Sequence, residues 1–592
     1  MSDKKQAKQM KRHEKKVLRT NKKEGLKTPW YDFYDDVPFT LEYPNHTIYE
    51  HLVATAHEMP NRIAYDYFGT KSTFLSFIKD INECAKALKA AGLEEGETIT
   101  ICMPNTPEGI ITFYAANQIG AICSMVHPLA AENEIKEYLK ISNSSMLLTL
   151  DVLWPKVKKA LTETKVRKSI IVSVKNSMPI ILKTGFMITK GYKIKKPEYN
   201  DQVIAWPSFI NGGKDYIQSI HPKMKAKDPA VILYSGGTTG EPKGILLSNY
   251  NFNALAIQAI NHCANVEPGD KILAILPIFH GFGLGVCFHT VMTLGGTPVM
   301  IPQFTPDSFE KLITKHKPNV LIGVPTLFEA LLQNSKNKRL DLSFLKLVIS
   351  GGDSLPKSLK NKIDEFLKDH GADIQVRQGY GLTECVAASC LMPINHYRED
   401  SIGIPLPDMY YKIIDPNTGE EVPYGEIGEI CISGPTIMMG YVNDEVETNK
   451  ALRKDKNDRI WLHTGDVGYM SDEGFVFFTQ RIKRMIVTSG YNIYPQHIEN
   501  IINTHPDVLM STVIGIPHPY KKQVAKAFIV LKSGVKASNK IRKEIQKNCE
   551  ANLARYSIPK EFEFKASLPK TLIGKVAYRE LEKEEAEKFK KN

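Results

Sequence analysis

Residues 231–249 read VILYSGGTTGEPKGILLSN: an apolar strand-like run, a loop dense in Gly, Ser and Thr, then a lysine and the start of an apolar helix. Glycines at Gly236, Gly237 and Gly240 let the backbone bend until several N–H groups converge on one anion. The hydroxyls of Ser235, Thr238 and Thr239 add donors, and Lys243 adds a mobile positive charge. Together they predict a polyphosphate cradle. It is not a Walker loop, since no Gly-x4-Gly-Lys-Ser/Thr spacing occurs. A plain flexible loop is the bland alternative, and the coincidence of strand, hydroxyls, Pro242 and Lys243 weighs against it.

Outward from this loop, the pattern alternates short apolar strands with amphipathic helices. Residues 75–91 have helical periodicity, 98–103 read as strand, 110–119 as helix and 121–126 as strand, and strand–helix pairs recur at 230–234, 271–276, 297–301, 320–324 and 347–350. Such alternation implies crossover units and a largely parallel sheet. After residue 400 the texture turns to short strands with turn signals, DPNTG at 415–419 and SDEG at 471–474, which reads as an antiparallel β subdomain. Beyond residue 480, strands at 485–488, 510–514 and 524–531 with helices from Pro495 and over 538–552 form a compact α+β module. The expected fold is therefore α/β: a tail over residues 1–27, a large N-terminal domain over 28–480 and a small C-terminal domain over 481–592.

Composition narrows the classes. Hydrophobic residues at 42%, charged residues at 24%, 39 Gly and 34 Pro in 592 residues exclude collagen, a long coiled coil and wholesale disorder. The nine cysteines include no CxxC pair, which disfavours zinc knuckles and disulfide scaffolds and fits a reducing cytoplasm. The opening residues are too charged for a secretory signal. The longest run without Asp, Glu, Lys or Arg, residues 272–306, is broken by prolines and glycines, so it reads as two buried strands around a packed helix rather than a membrane span.

The formal net charge is +12, and residues 1–27 hold 11 basic residues against Asp3, Glu14 and Glu24. This tail reads as a solvated arm or as a membrane-surface element; the absence of aromatic residues before Trp30 counts against nucleic acid as a partner. A second basic segment, 156–198, mixes cations with the apolar runs 170–174 and 179–188. Lysines 183, 190, 193, 195 and 196 surround the second run. Either it is an interfacial element whose cations meet the headgroups of an anionic membrane, or it is a core strand followed by a surface loop.

Further motifs stand downstream of residues 231–249: QGYGLTE at 378–384, WLHTGD at 461–466, RIKR at 481–484, SGYN at 489–492 and PKTLIGK at 569–575. In this order, over roughly residues 47–581, the chain resembles the adenylate-forming (AMP-binding) superfamily, which includes acyl-CoA synthetases, luciferase and peptide-synthetase adenylation domains. Within it, the chain resembles long-chain fatty-acid CoA ligases. The resemblance implies ATP, Mg²⁺ and coenzyme A. It places Glu384 on the metal, Thr383 on the α-phosphate, Tyr380 with Gly379 and Gly351 at the adenine, and Asp466 with Arg481 at the ribose. It makes Lys575 the catalytic lysine, Lys483 the hinge of a mobile C-terminal domain, and Ser489, Gly490 and Tyr491 part of a thiol tunnel. Gln480 and Arg484 depart from the acidic residues frequent around that hinge. PIFHGFG at 277–283 is similar to an acyl-pocket wall, with His280 as a gate.

These readings lead to an ATP-dependent fatty acid–CoA ligase that forms an acyl-adenylate and then an acyl-CoA, releasing AMP and pyrophosphate. It is expected in the cytoplasm or peripherally at the inner face of the membrane, with no nucleic-acid partner. An aryl or other small-acid ligase is the rival, and its signature would be a polar or cationic pocket residue. A non-catalytic, membrane-docked adenylate-binding protein is a second rival, against which Lys243, Glu384 and Lys575 count.

Overall fold

Side chains on successive strand residues point to opposite faces, and the long apolar runs of this chain are explained by two sheets that are covered on both. The structure is a computed structural model. It describes residues 3–591 apart from 190, 221, 236–241, 264, 335–339, 485, 489–490, 494, 519–521, 554, 556 and 571–575. One sheet has nine strands, and its central run of Val376–Tyr380, Leu347–Ser350, Val320–Gly323, Lys271–Ala274, Thr297–Met300 and Ile63–Tyr67 is parallel throughout. Ile272, Ile322 and Ile349 enter a core shared with the second sheet, whereas Leu273, Leu321 and Val348 face helices on the outer side. A strand buried on both faces needs apolar residues at every position, hence no alternation in the sequence.

The second sheet has eight strands, with Pro229–Ser235, Ile122–Met125, Thr98–Cys102, Met146–Leu150, Lys168–Val172 and Val203–Ala205 running parallel. Two helices without an exposed residue fill the shared core. Pro107–Gln118 is buried along eleven of its residues, and Asn249–His262 packs beside it. The uncharged stretch 272–306 supplies two strands, Lys271–Ala274 and Thr297–Met300, around a π-helix over Phe282–Thr290, as the sequence reading expects. Among the described residues no helix is long and apolar enough to cross a membrane. All nine cysteines are free and buried.

One expectation fails at the decisive loop. Residues after Lys243 do not begin a helix; Lys243–Ser248 is a strand, antiparallel to Pro229–Ser235 with Ser235 opposite Lys243. Ile245 and Leu247 enter the core from it, and the helix starts only at Asn249, where the Ser248 side chain accepts from the Asn251 N–H. The two paired strands thus flank the expected cradle, whose residues 236–241 lie outside the described ones.

The basic tail is also more structured than a solvated arm. Asp3–Glu24 is a helix whose end docks: buried Asn21 bonds Tyr31 and Tyr410, and Glu24 pairs with Arg459 at 2.5 Å. Residues 410–481 form the expected antiparallel sheet. The small C-terminal domain has its own five-stranded sheet. Helices Pro495–Asn503 and Asn539–Asn552 cover one face, and Tyr578–Lys591 covers the other.

Glycines seat the π-helix. A Cβ on Gly281 would lie 1.7 Å from the Val386 carbonyl oxygen, and one on Gly283 would lie 2.0 Å from that of Pro277. We expect Gly281→Ala to force the two backbones apart and cost about 1–3 kcal/mol or more. Chemical denaturation would measure it, and an unchanged midpoint would show that the contact yields freely.

Candidate active site

One cavity of about 500 Å³ gathers residues from all three sheets of the large domain. Its polar end takes Ser235 and Lys243 from the hairpin, Thr383 and Glu384 from a short turn after strand Val376–Tyr380, and Thr464, Gly465 and Arg481 from the antiparallel sheet. Gly351 and Gly379 bring two strand ends together there; a Cβ on Gly351 would lie 3.3 Å from the Gly379 carbonyl oxygen. Lys575, Gly236, Gly237, Thr238, Thr239, Gly240, Ser489 and Gly490 fall outside the described residues, as do the side chains of Lys483 and Tyr491.

Asp466 is 1% exposed. A carboxylate so withdrawn from water needs strong partners. The Tyr380 hydroxyl donates to its Oδ2 at 2.8 Å, and Arg481, directly opposite in the antiparallel ladder, brings Nε within 3.2 Å of its Oδ1. Desolvation and the neighbouring Asp466 charge push the Tyr380 phenol well above its usual range, so it remains a donor. Asp466 does not itself line the cavity, whereas Tyr380 and Arg481 do. A ligand hydroxyl reaching Asp466 must therefore replace one of them.

The turn that carries Glu384 is strained. Val386 sits at φ 65°, ψ −61°, and the Ala387 N–H donates to the Cys385 carbonyl at 2.8 Å, a γ-turn of the rare hand. A β-branched residue at positive φ is an outlier that persists only where its surroundings hold it. Here Gly281 and Gly381 press their backbones against Val386 and Ala387. Glu384 accepts from the Tyr441 hydroxyl at 3.1 Å, and its carbonyl accepts from the Met438 N–H. His280 lines the cavity, with its Nδ1 accepting from the Phe282 N–H at 3.2 Å.

Two groups escape a reading of the sequence. Glu447, in the helix Glu445–Ala451, is paired with Lys243 and with Lys450. Lys243 also stands over the Tyr441 ring, 4.8 Å from its centroid. The two cations pull the Glu447 carboxyl down to about 2, so the pairing is complete above the ordinary carboxylate range and fades only as pH falls toward 2. The second group is Glu429, Cys431 and His463, whose ligand atoms lie within 4.8 Å of one another, a set of metal-ligating type. The Glu429 carboxylate already spans His463 Nδ1 and the Gly465 N–H, both at 3.0 Å. It is therefore spent on holding the turn that leads into Asp466.

The other arm of the cavity is apolar. Ala259, Ile260, Cys263 and Val266 form one wall; Phe282, Val286 and Thr290, every fourth residue of the π-helix, form a second. Val320, Ile322, Leu347 and Ile349 form the floor. From Gly351 back to Leu347 the floor follows one strand for four residues, about 13 Å at about 3.3 Å each. Among the described residues, the charged side chains that line the cavity all belong to its polar end.

A model of the AMP-binding enzyme family matches residues 52–442, and a model of the AMP-binding enzyme C-terminal domain matches residues 497–575. The chain belongs to the AMP-binding enzyme family. It is 34% identical over 570 residues to the long-chain-fatty-acid–CoA ligase of Bacillus subtilis strain 168, covering 94% of this chain and 98% of the relative. It is 30% identical over 563 residues to a probable 4-coumarate–CoA ligase of Dictyostelium discoideum, covering 92% and 97%. The solved structure of ATP-bound MatB from Rhodopseudomonas palustris superposes with a TM-score of 0.78 at 23% identity, covering 91% of this chain and 99% of that one. At that identity the likeness speaks for the fold alone.

For this AMP-binding enzyme the Glu447 pairing has a measurable consequence. If Lys243 holds an incoming polyphosphate, as the sequence predicts, the Glu447 carboxylate competes for it, and a partly exposed pair of this kind contributes little. Glu447→Gln is expected to tighten ATP binding roughly two- to fivefold at low salt, with the gain shrinking as salt rises. Calorimetric titration checks it; unchanged affinity would mean that Lys243 changes partner at no cost.

Proposed function

We propose that this AMP-binding enzyme is an ATP-dependent fatty acid–CoA ligase that adenylates a medium- to long-chain acid, then transfers the acyl group to coenzyme A. The observation that supports it most is the single cavity whose polar end adjoins about 13 Å of apolar floor, far more than one aromatic ring requires. Among the described residues no cationic side chain lies in that arm, and the hydroxyl of Thr290 is spent on the Gly285 carbonyl at 2.9 Å, against the polar or cationic residue that an aryl or small-acid ligase would need. Long-chain and 4-coumarate ligases both stand among the relatives, so the arm rather than the similarity favours the aliphatic acid.

In this reading Lys243 and the hydroxyls of the hairpin hold the polyphosphate, and Tyr380, Gly379 and Gly351 flank the adenine. Asp466 releases Tyr380 or Arg481 and accepts from the ribose hydroxyls instead, keeping a buried carboxylate compensated. Glu384 would hold Mg²⁺, which favours oxygen ligands and would neutralise phosphate charge. Thr383 bonds the α-phosphate as the acid's carboxylate oxygen attacks phosphorus and pyrophosphate leaves. Lys575 neutralises the two approaching anions. The thiol of coenzyme A then attacks the acyl carbon and AMP departs, with His280 as the gate and residues 489–491 along the thiol's path.

The turn Ile482–Arg484 joins the antiparallel sheet, which ends at Arg481, to the C-terminal sheet, which begins at Ile486. Lys483 in that turn is the proposed hinge, since a hinge need only be a terminal position able to absorb a backbone change. The acid is collected through peripheral contact with an anionic membrane.

ATP–pyrophosphate exchange across a panel of acids tests the substrate class directly. Activity should rise with aliphatic chain length and be weak with benzoate; the opposite order would favour the aryl ligase. Val320→Phe, which fills the far end of the arm, should lower the rate with long acids relative to short ones. For the two half-reactions, Lys575→Ala should slow adenylation on the order of 10² to 10³ while sparing thioester formation from preformed acyl-adenylate. Lys483→Pro should do the reverse, and equal losses in both steps would remove these roles.

A further inference from the structure

Between the adjacent parallel strands Lys168–Val172 and Val203–Ala205 the chain detours through residues 173–202. The detour contains the helix Ile180–Thr189, which has no buried residue. Ile180, Ile181 and Ile188 are 83%, 86% and 73% exposed, and Leu182 and Met187 are exposed beside them. A core strand followed by a surface loop, the bland reading of this segment, holds only for its first half. Contiguous exposed apolar surface of this kind marks an interaction site.

The patch has a defined place. Leu129 follows the C-terminal end of strand Ile122–Met125, and Val152 follows that of Met146–Leu150; both are exposed. Because these strands and Lys168–Val172 run parallel, the segments that carry Leu129, Val152 and the helix leave the sheet at the same edge. Strand Pro229–Ser235 runs the same way and delivers Ser235 to the cavity at that same edge.

Charge and shape select the occupant. Residues 175–196 hold six lysines and no acidic residue, with Lys183, Lys195 and Lys196 exposed. A partner protein's groove takes one apolar stripe of a helix. Here apolar residues lie on nearly every side, as 180, 181, 182, 186, 187 and 188 are spread around the turns. Ten residues span only about 15 Å, too short to cross a bilayer but suited to lying in its interface.

The segment before the helix is tied to the buried helix Pro107–Gln118. Asn176 and Ser177 both donate to Glu108 Oε1, at 2.7 and 2.5 Å. Three residues upstream of Glu108, Asn105 donates to the carbonyls of Ala274 and Leu276 and accepts from the Ile278 N–H, which fixes the segment that carries His280.

We propose that helix Ile180–Thr189 is the element through which this enzyme docks on an anionic lipid surface, presenting the edge of the sheet that bears the cavity to the membrane. This deepens the fatty-acid ligase reading, on which its purpose rests, but the surface can be tested without catalysis.

The test is co-sedimentation of the full chain with vesicles of phosphatidylcholine, with and without phosphatidylglycerol, at low and high salt. The intact chain should bind the anionic vesicles, weakly or not at all the neutral ones, and less at high salt. Replacing Ile180, Ile181 and Ile188 with Ser should weaken binding about tenfold or more, with an unchanged melting temperature since none is buried. Lys183→Glu with Lys195→Glu and Lys196→Glu should abolish the preference for anionic lipid. Intact binding in the Ser variant, binding indifferent to lipid charge, no binding by the intact chain, or self-association through the helix in place of vesicle binding would each overturn the proposal. Exchange activity on soluble octanoate is measured in parallel: its absence in the intact chain would count against the ligase reading and leave the docking result standing.

Discussion

A carboxylate can leave water only where other groups replace its hydration, and Asp466, 1% exposed, meets that condition by drawing on separate parts of the fold. Tyr380 comes from the end of a strand in the nine-stranded sheet, and Arg481 from the strand paired with that of Asp466. Glu429 and His463 shape the turn through which the carboxylate is delivered. Removing any one of these would leave charge or hydrogen-bonding capacity stranded beside the cavity. In the proposed function, ligand hydroxyls would take over the same duty, so that one buried carboxylate would meet a structural demand and bind.

Beside the cavity, main chains pack directly on one another where glycines carry no side chain. Gly281, Gly283 and Gly381 let main chains approach to distances no Cβ would tolerate, and Val386 is held in a strained turn between them. That strain places Glu384 at the polar end, next to Tyr441. On the other side of the π-helix, residues spaced by four face an apolar arm along the sheet floor. Polar and apolar ends are therefore products of one packed segment, and a substitution in it is felt at both.

Charge is distributed with a similar economy. Lys243 is paired with Glu447, and Glu447 is shared with Lys450. The apolar helix Ile180–Thr189 and its lysines lie on the edge of the sheet that also carries Ser235. Docking through that helix, as proposed, would bring an insoluble acid to the edge that carries the cavity without its crossing water.

The sequence by itself determined the α/β class, the positions of most central strands and the order of the motifs, because buried strands and glycine-rich loops are local patterns. Leu347–Ser350 needed no correction, and Lys271–Ala274 and Val320–Gly323 needed only a shorter end. Local pattern failed at Lys243–Ser248, where the short run GILL suits helix or strand equally and pairing with Pro229–Ser235 decided the matter. It left residues 179–188 open between an interfacial element and core, since an apolar run gives no local sign of whether anything covers it. Only the tertiary structure could reveal Glu447 beside Lys243, 204 residues away, or Tyr380 on Asp466, 86 residues away. Electrostatic compensation acts through space, and no spacing along the chain encodes which distant carboxylate a lysine will meet.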